Sequence, residues 1–402
     1  MVPAAADLTA LSSSMERELR ENILPFWMKY MVDHQKGGFY GALTNDLQVR
    51  DGVERSLVLC ARMLWTYSAA YRVWPEPSYL ATAQHAWAYL REKFLDPAYG
   101  GMYWWLDCDG QPVNDRKQTY GQAFAIYGLS EFFRASRETS ALDMARVLFE
   151  AVEQHAYDPI YQGYIEGCAR DWSALSDMRL SKKEPFNAPK SMNTLLHVLE
   201  AYANLLTVWP DPCLKQSLRK LLEVYLARVI DPDTHFTRLF FEQDWTSLSD
   251  QISFGHDIET SWLLVEAAQH LGDPALIART RGVAAAMAGA VYTRGLQQDG
   301  SLVHESTPRG IINRERHWWC QAEGVVGFIN AYQITGDTGY LQAALRLWNF
   351  IRTHMIDHQH GEWYKVLDPD LIPLPGQVKA GPWEDPYHQS RACLEIIRRT
   401  SD

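Results

Sequence analysis

Three short segments concentrate the side chains able to do chemistry. In Ser253–Trp262 (SFGHDIETSW), His256 and Glu259 stand three residues apart, so a helix sets them on one face. An imidazole beside a carboxylate can work as an acid–base pair, the carboxylate setting the ring tautomer and raising its basicity. The same spacing suits metal ligands, with Glu323 and His388 available to extend the set, but the arrangement matches no standard metal motif and no metal is expected. In His317–Glu323 (HWWCQAE), Trp319 and Glu323 stand four apart. One reading is an indole stacking on a sugar face while the carboxylate bonds hydroxyls; the other is a core Trp beside an outward-facing Glu. The third segment, Gly381–His388 (GPWEDPYH), is a Pro- and Gly-rich turn that either holds Trp383 and His388 rigidly at the start of the last helix or serves only as a helix-start loop.

Elements that could position these groups emerge from an internal repeat. A turn followed by aromatic, strand-like residues recurs after Val32, Leu95, Tyr157, Ile230 and Ile356, with a degenerate copy near Tyr292. The turn aspartates Asp33, Asp96, Asp158, Asp231 and Asp357 are separated by 63, 62, 73 and 126 residues, the last being two periods. A fixed period of this length marks a repeat architecture. Between the turns, stretches such as Ser56–Tyr71, Gln118–Phe133, Met192–Leu206 and Asp257–His270 carry helical periodicity. Each period holds a short β-hairpin and two helices. Six helical hairpins either stack as an open solenoid, which wants polar caps, or close on themselves. The last block ends on an uncapped apolar-patterned helix, so the expected fold is all-α: an (α/α)6 barrel with short β-hairpins at the loop ends, one domain over residues 1–402. Counted from the repeat Asp, the polar residues Arg62, Tyr120, His197, His256 and His388 fall at similar phases, and matching phases of a closed ring point at one axis.

Composition narrows the function. The chain has 402 residues, 47% of them hydrophobic and 22% charged, with a net charge of −11, which excludes a basic nucleic-acid surface. Fifteen Trp and 20 Tyr exceed what a core needs and suit a cleft for sugar faces. Six cysteines lie singly, as packing thiols of a reducing compartment. Neither a secretion signal nor a run of about 18 apolar residues is present, so a cytoplasmic protein without a membrane partner is expected, as a monomer.

Four segments carry a family resemblance: Asn193–Tyr202 (NTLLHVLEAY), Ser253–Trp262, His317–Glu323 and Pro386–Glu395 (PYHQSRACLE). They resemble the N-acylglucosamine 2-epimerase superfamily, and within it cellobiose 2-epimerases, over essentially the whole chain, including Leu59–Tyr71 and Gln118–Tyr127. The resemblance implies the (α/α)6 barrel, no metal or nucleotide cofactor, and inversion at C2 of the reducing glucose of a β-1,4-linked disaccharide. Mannose 2-epimerases and mannose isomerases share much of this framework and imply a monosaccharide instead. One departure is Leu195, where the family pattern reads Asn-Thr-His-x-His; His197 is kept.

Such a reaction needs ring opening, removal of the C2 proton and its return to the opposite face, through a cis-enediolate. His256 and His388 are the expected bases, one per face, with Glu259 assisting His256 in ring opening as the resemblance implies. Arg62 would stabilise the enediolate. Tyr120, Asn193 and His197 would hold hydroxyls, Trp319 and Trp383 would clasp the rings, and Glu323 would bond hydroxyls or steady His388. A glycoside hydrolase would need two carboxylates about 5–9.5 Å apart, for which Glu259 and Glu323 are candidates, but it has no use for two inner histidines. A non-catalytic sugar binder would not call for a ring of Arg, His and Glu.

Overall fold

The computed structural model describes residues 2–400. Helices α1 (Val2–Glu18) and α2 (Leu24–Tyr30) are joined by a π-helical turn, Leu19–Ile23. They are followed by α3 (Leu57–Val73), α4 (Pro77–Tyr89), α5 (Thr119–Ser136), α6 (Thr139–His155), α7 (Met192–Leu206) and α8 (Pro212–Val224). Then come α9 (Phe254–Leu271), α10 (Pro274–Arg294), α11 (Trp318–Thr335), α12 (Thr338–Phe350) and α13 (Tyr387–Thr400). The odd-numbered helices from α3 to α13 form the inner ring. Each packs on the next, and α13 returns to α3, which closes the (α/α)6 barrel. The sixth helical pair joins α13 to α1, from opposite ends of the chain.

Local chemistry sets the corners. Asp211 and Asp273 precede proline at the first turn of α8 and α10, and their carboxylates accept two backbone N–H groups each. Inner helices are apolar nearly all round: every residue of α5 from Thr119 to Phe132 is buried. Gly128 brings α5 against α3 so closely that a Cβ there would lie 2.7 Å from the Ala61 carbonyl oxygen.

The repeat Asp has one structural job. In each period it caps a short hairpin, closed by a single bridge such as Val32 to Phe39 or Ile356 to Trp363. It then pairs with a cation, usually from the strand that leads into the following inner helix: Asp33 with Arg55, Asp96 with Lys117, Asp158 with Lys190 and Asp357 with Lys379. The degenerate copy supplies Asp299 for Arg316, whereas Asp231 takes Arg238 from its own hairpin. Except at Asp231, these pairs tie each hairpin to the strand that leads into the next inner helix. Four cysteines are buried as expected, but Cys213 is exposed and Cys108 half-exposed. Among the described residues no helix is long and apolar enough to cross a membrane.

Candidate active site

The hairpin end of the barrel opens into a cleft of about 480 Å³, lined by Asn193, His256, Trp319 and Trp383 among the expected residues, and by His304 and His317. Beneath it the inner helices bring Arg62, Tyr120, His197 and His388 together. Arg62 Nη2 donates to the Tyr120 hydroxyl at 2.9 Å and Nη1 to Asp385 at 2.6 Å. The Tyr120 ring meets the His197 imidazole edge-on at 4.9 Å between centroids, and Trp383 lies 5.8 Å from Tyr120. His256 and His388 both lie against Trp319, at 4.6 and 5.7 Å between ring centroids. Asn193 Oδ1 is buried without a hydrogen-bond partner among the described residues, an open acceptor at the cleft.

Burial favours the uncharged form of both histidines. Burial pulls the His256 pKa down to about 3, and the neighbouring His197 works in the same direction. Burial, helped by Arg62 and Arg391, also holds the His388 pKa well below the ordinary range. Both rings are therefore neutral at physiological pH. His388 Nδ1 lies 2.7 Å from Glu323 Oε1; an ionised carboxylate only accepts, so the proton sits on Nδ1 and the Nε2 lone pair is free. His256 Nδ1 lies 2.8 Å from Ser253 Oγ. Ser56 and Ser191 occupy the same position before α3 and α7, where they cap the helix by accepting a backbone N–H. Ser253 makes no such cap, and its hydroxyl serves His256 instead.

One turn below the histidines lies a charged layer. Glu200, Glu259 and Arg391 stand three residues after His197, His256 and His388, and Glu323 four after Trp319. Glu259 is not the partner of His256, as the shared helix face suggests. Its carboxylate is drawn to Arg391 Nη2 at 2.5 Å and lies 3.9 Å from His388 Nδ1, because the buried guanidinium is its strongest available counter-charge. Among the described residues no hydrogen bond joins it to His256. Glu323 spends Oε1 on His388 and Arg391 and Oε2 on Trp262 Nε1, and it is fully buried and outside the cleft lining, so its contacts are with the protein's own groups. Glu259, Glu323 and His388 place ligand-type atoms within 4.8 Å of one another. The Arg391 guanidinium, 2.5 and 2.6 Å from the two carboxylates, already supplies the cation that such a group attracts. The two carboxylates also lie behind His388, not astride the cleft, so the hydrolase pair is not assembled.

Leu195 is fully buried, packed near Gly163, and does not line the cleft. The departure from the family pattern therefore falls on packing, two residues from His197. Sequence reasoning left Glu200, Asp385, Tyr387 and Arg391 unassigned. The signal for two of them was the recurring spacing of three from a histidine to a charged residue.

An (α/α)6 barrel with neutral imidazoles, a buried guanidinium and indoles around one cleft defines a carbohydrate-active site of the isomerase type. The N-acylglucosamine 2-epimerase (GlcNAc 2-epimerase) family model matches residues 38–392, and the chain belongs to that family. It is 44% identical to a cellobiose 2-epimerase of Bacteroides fragilis over 96% of this chain and 98% of that one. A D-mannose isomerase of Marinomonas mediterranea is 24% identical over 94% of this chain and 95% of its own. The solved structure of a cellobiose 2-epimerase from Bacillus thermoamylovorans B4167 superposes with a TM-score of 0.92 at 38% identity, covering 97% of this chain and all of that one.

Proposed function

We propose that this protein is a sugar 2-epimerase that inverts C2 of the reducing-end glucose of β-1,4-linked disaccharides, converting cellobiose to glucosyl-mannose and lactose to epilactose, with the chain acting as one catalytic domain. The observation that carries the reading is the pair of neutral imidazoles, His256 and His388, both set against Trp319 at the floor of the cleft. Removal of a C2 proton beside an aldehyde needs a neutral base, and its return to the other face needs a second group that can give one back. His388 is ready as the first, with Nδ1 anchored on Glu323 and Nε2 free. His256, its ring oriented by Ser253, is the second: it takes a proton from solvent before giving one to the opposite face of C2, and His388 releases to solvent the proton it removed.

The enediolate carries charge at O1 and O2. Arg62, held rigid by Asp385 and Tyr120, presents a preorganised guanidinium to it. Its Nε is buried and has no hydrogen-bond partner among the described residues. Asn193 Oδ1, Tyr120 and His197 accept and donate to hydroxyls. Trp319 and Trp383 offer a separate indole to each of two sugar rings, and the cleft's size supports a disaccharide over the single sugar of a mannose epimerase or isomerase. The relative named for cellobiose is also 44% identical, against 24% for the D-mannose isomerase. A panel of cellobiose, lactose, mannobiose, mannose and N-acetylglucosamine, read by chromatography, tests the proposal. Epimers from the first two support it; turnover of mannose alone, or release of glucose, overturns it.

A further inference from the structure

Arg391 takes no part in the steps above, yet its side chain is 2% exposed at the barrel axis, one turn below His388. Its Nη1 donates to Glu200 and to the Tyr387 hydroxyl, and its Nη2 donates to Glu259 at 2.5 Å and to Glu323 at 2.6 Å. Two of those carboxylates each hold a histidine by Nδ1. Glu200 Oε2 lies 3.0 Å from His197 and Glu323 Oε1 2.7 Å from His388. The contacts thus form an unbroken chain, His197–Glu200–Arg391–Glu323–His388, assembled from α7, α11 and α13. Neither Nε2 makes a hydrogen bond among the described residues.

Three carboxylates buried together do not all ionise without a cation. Arg391 supplies it: beside Arg391 and His197, Glu200 is held down to about 2. Glu323 is raised by burial, with Arg391 opposing the rise, and Glu259 reaches about 7 against the same opposition. A carboxyl group that gains a proton can donate it. Glu323 in that form would hydrogen-bond into Nδ1 of His388, and the imidazole proton would move to Nε2. The ring would then meet substrate as an acid where a base is needed.

Resting on the epimerase reading, we propose that Arg391 is a positioning residue: by keeping Glu200 and Glu323 as carboxylates it fixes His197 and His388 in the Nδ1–H tautomer, with both Nε2 atoms left as lone pairs for substrate. The charged and titratable groups facing His388 are Arg62 from α3, His197 from α7, His256 and Glu259 from α9, Glu323 from α11, and Tyr387 and Arg391 from its own helix. Of these, Arg391 alone touches the carboxylates of both histidines.

The test is nuclear magnetic resonance of 15N-labelled histidine in the sugar-free protein near neutral pH, with His197 and His388 assigned from the signals lost in His197→Asn and His388→Asn. The native protein should show both rings as Nδ1–H. Arg391→Gln should convert His388 largely to Nε2–H, lower kcat about 10²-fold with KM within about threefold, and move the acid limb of the kcat profile upward by about one pH unit or more. Arg391→Lys should restore part of each. If Arg391→Gln fails to fold, Glu323→Gln and Glu200→Gln must each change the tautomer of their own histidine. Unchanged tautomers in the folded variants overturn the proposal, as does a kcat loss without movement of the pH profile. The tautomer needs no substrate, so an inactive native enzyme would count against the epimerase reading while this reading stood or fell by its own spectrum.

Discussion

His256 and His388 differ in what holds them, and the difference is testable. A serine hydroxyl orients one and a carboxylate the other, yet burial keeps both neutral. If each serves one face of C2, either loss stops the cycle. His256→Asn and His388→Asn should each lower kcat by about 10²–10⁴ with unchanged circular dichroism; a folded variant retaining most of its activity would remove that histidine from the mechanism. Arg62→Ala should cost about 10²–10³ in kcat, the range for losing one preorganised charge-stabilising donor, with less effect on KM. Steady-state kinetics separate the two, and a change confined to KM would make Arg62 a binding group only.

Helices and hairpins work here through buried charge. The Lys190 ammonium is fully buried, donating to Asp158 and to the Gln162 and Gln243 carbonyls, while the Arg238–Asp231 pair is about a third exposed. Removing one partner of a buried pair strands the other charge, whereas an exposed pair is screened. Lys190→Met should therefore destabilise by about 3–5 kcal/mol and Arg238→Met by about 1 kcal/mol or less in urea unfolding; equal effects would contradict the assigned role of the repeat aspartates. At the start of α7, Glu166 accepts from the Ser191 N–H and hydroxyl and meets Thr194 Oγ1 at 2.7 Å. Burial pushes its pKa from 4.5 to about 8. A folded value above the unfolded one means its contribution is complete below about pH 4.5 and lost as pH rises through about 8. Glu166→Gln should match the native protein near pH 5 and melt a few degrees higher at pH 9; thermal melts at both values check this, and a variant less stable at pH 9 would contradict it.

The same elements show what a sequence reveals. The period was legible because Asp33, Asp96, Asp158 and Asp357 do one job in each copy, and the histidine layer because its residues keep phase with those aspartates. The length of the third interval was legible but not its use: it contains Leu180–Pro185, which lie at the cleft wall. The charged layer was not. Arg391 meets Glu200 across 191 residues and Glu259 across 132, contacts that only the closed ring creates. For the same reason local spacing misassigned Glu259 to His256: a guanidinium from the far end of the chain was the stronger partner.

At the scale of the whole molecule, closure of α13 onto α3 and α1 is what makes a site from residues spread between Arg62 and Arg391. The barrel gathers two neutral imidazoles, the guanidiniums of Arg62 and Arg391 and a layer of carboxylates towards one mouth. The account's central claim is that C2 is inverted by deprotonation on one face and reprotonation on the other. The most direct measurement is turnover of cellobiose in D2O with the product examined by nuclear magnetic resonance. Two bases predict deuterium at C2 of the glucosyl-mannose, and at C2 of the cellobiose recovered at equilibrium, because the proton returned comes from a group that exchanges with solvent. Epimer formed with its original hydrogen at C2 would contradict the account.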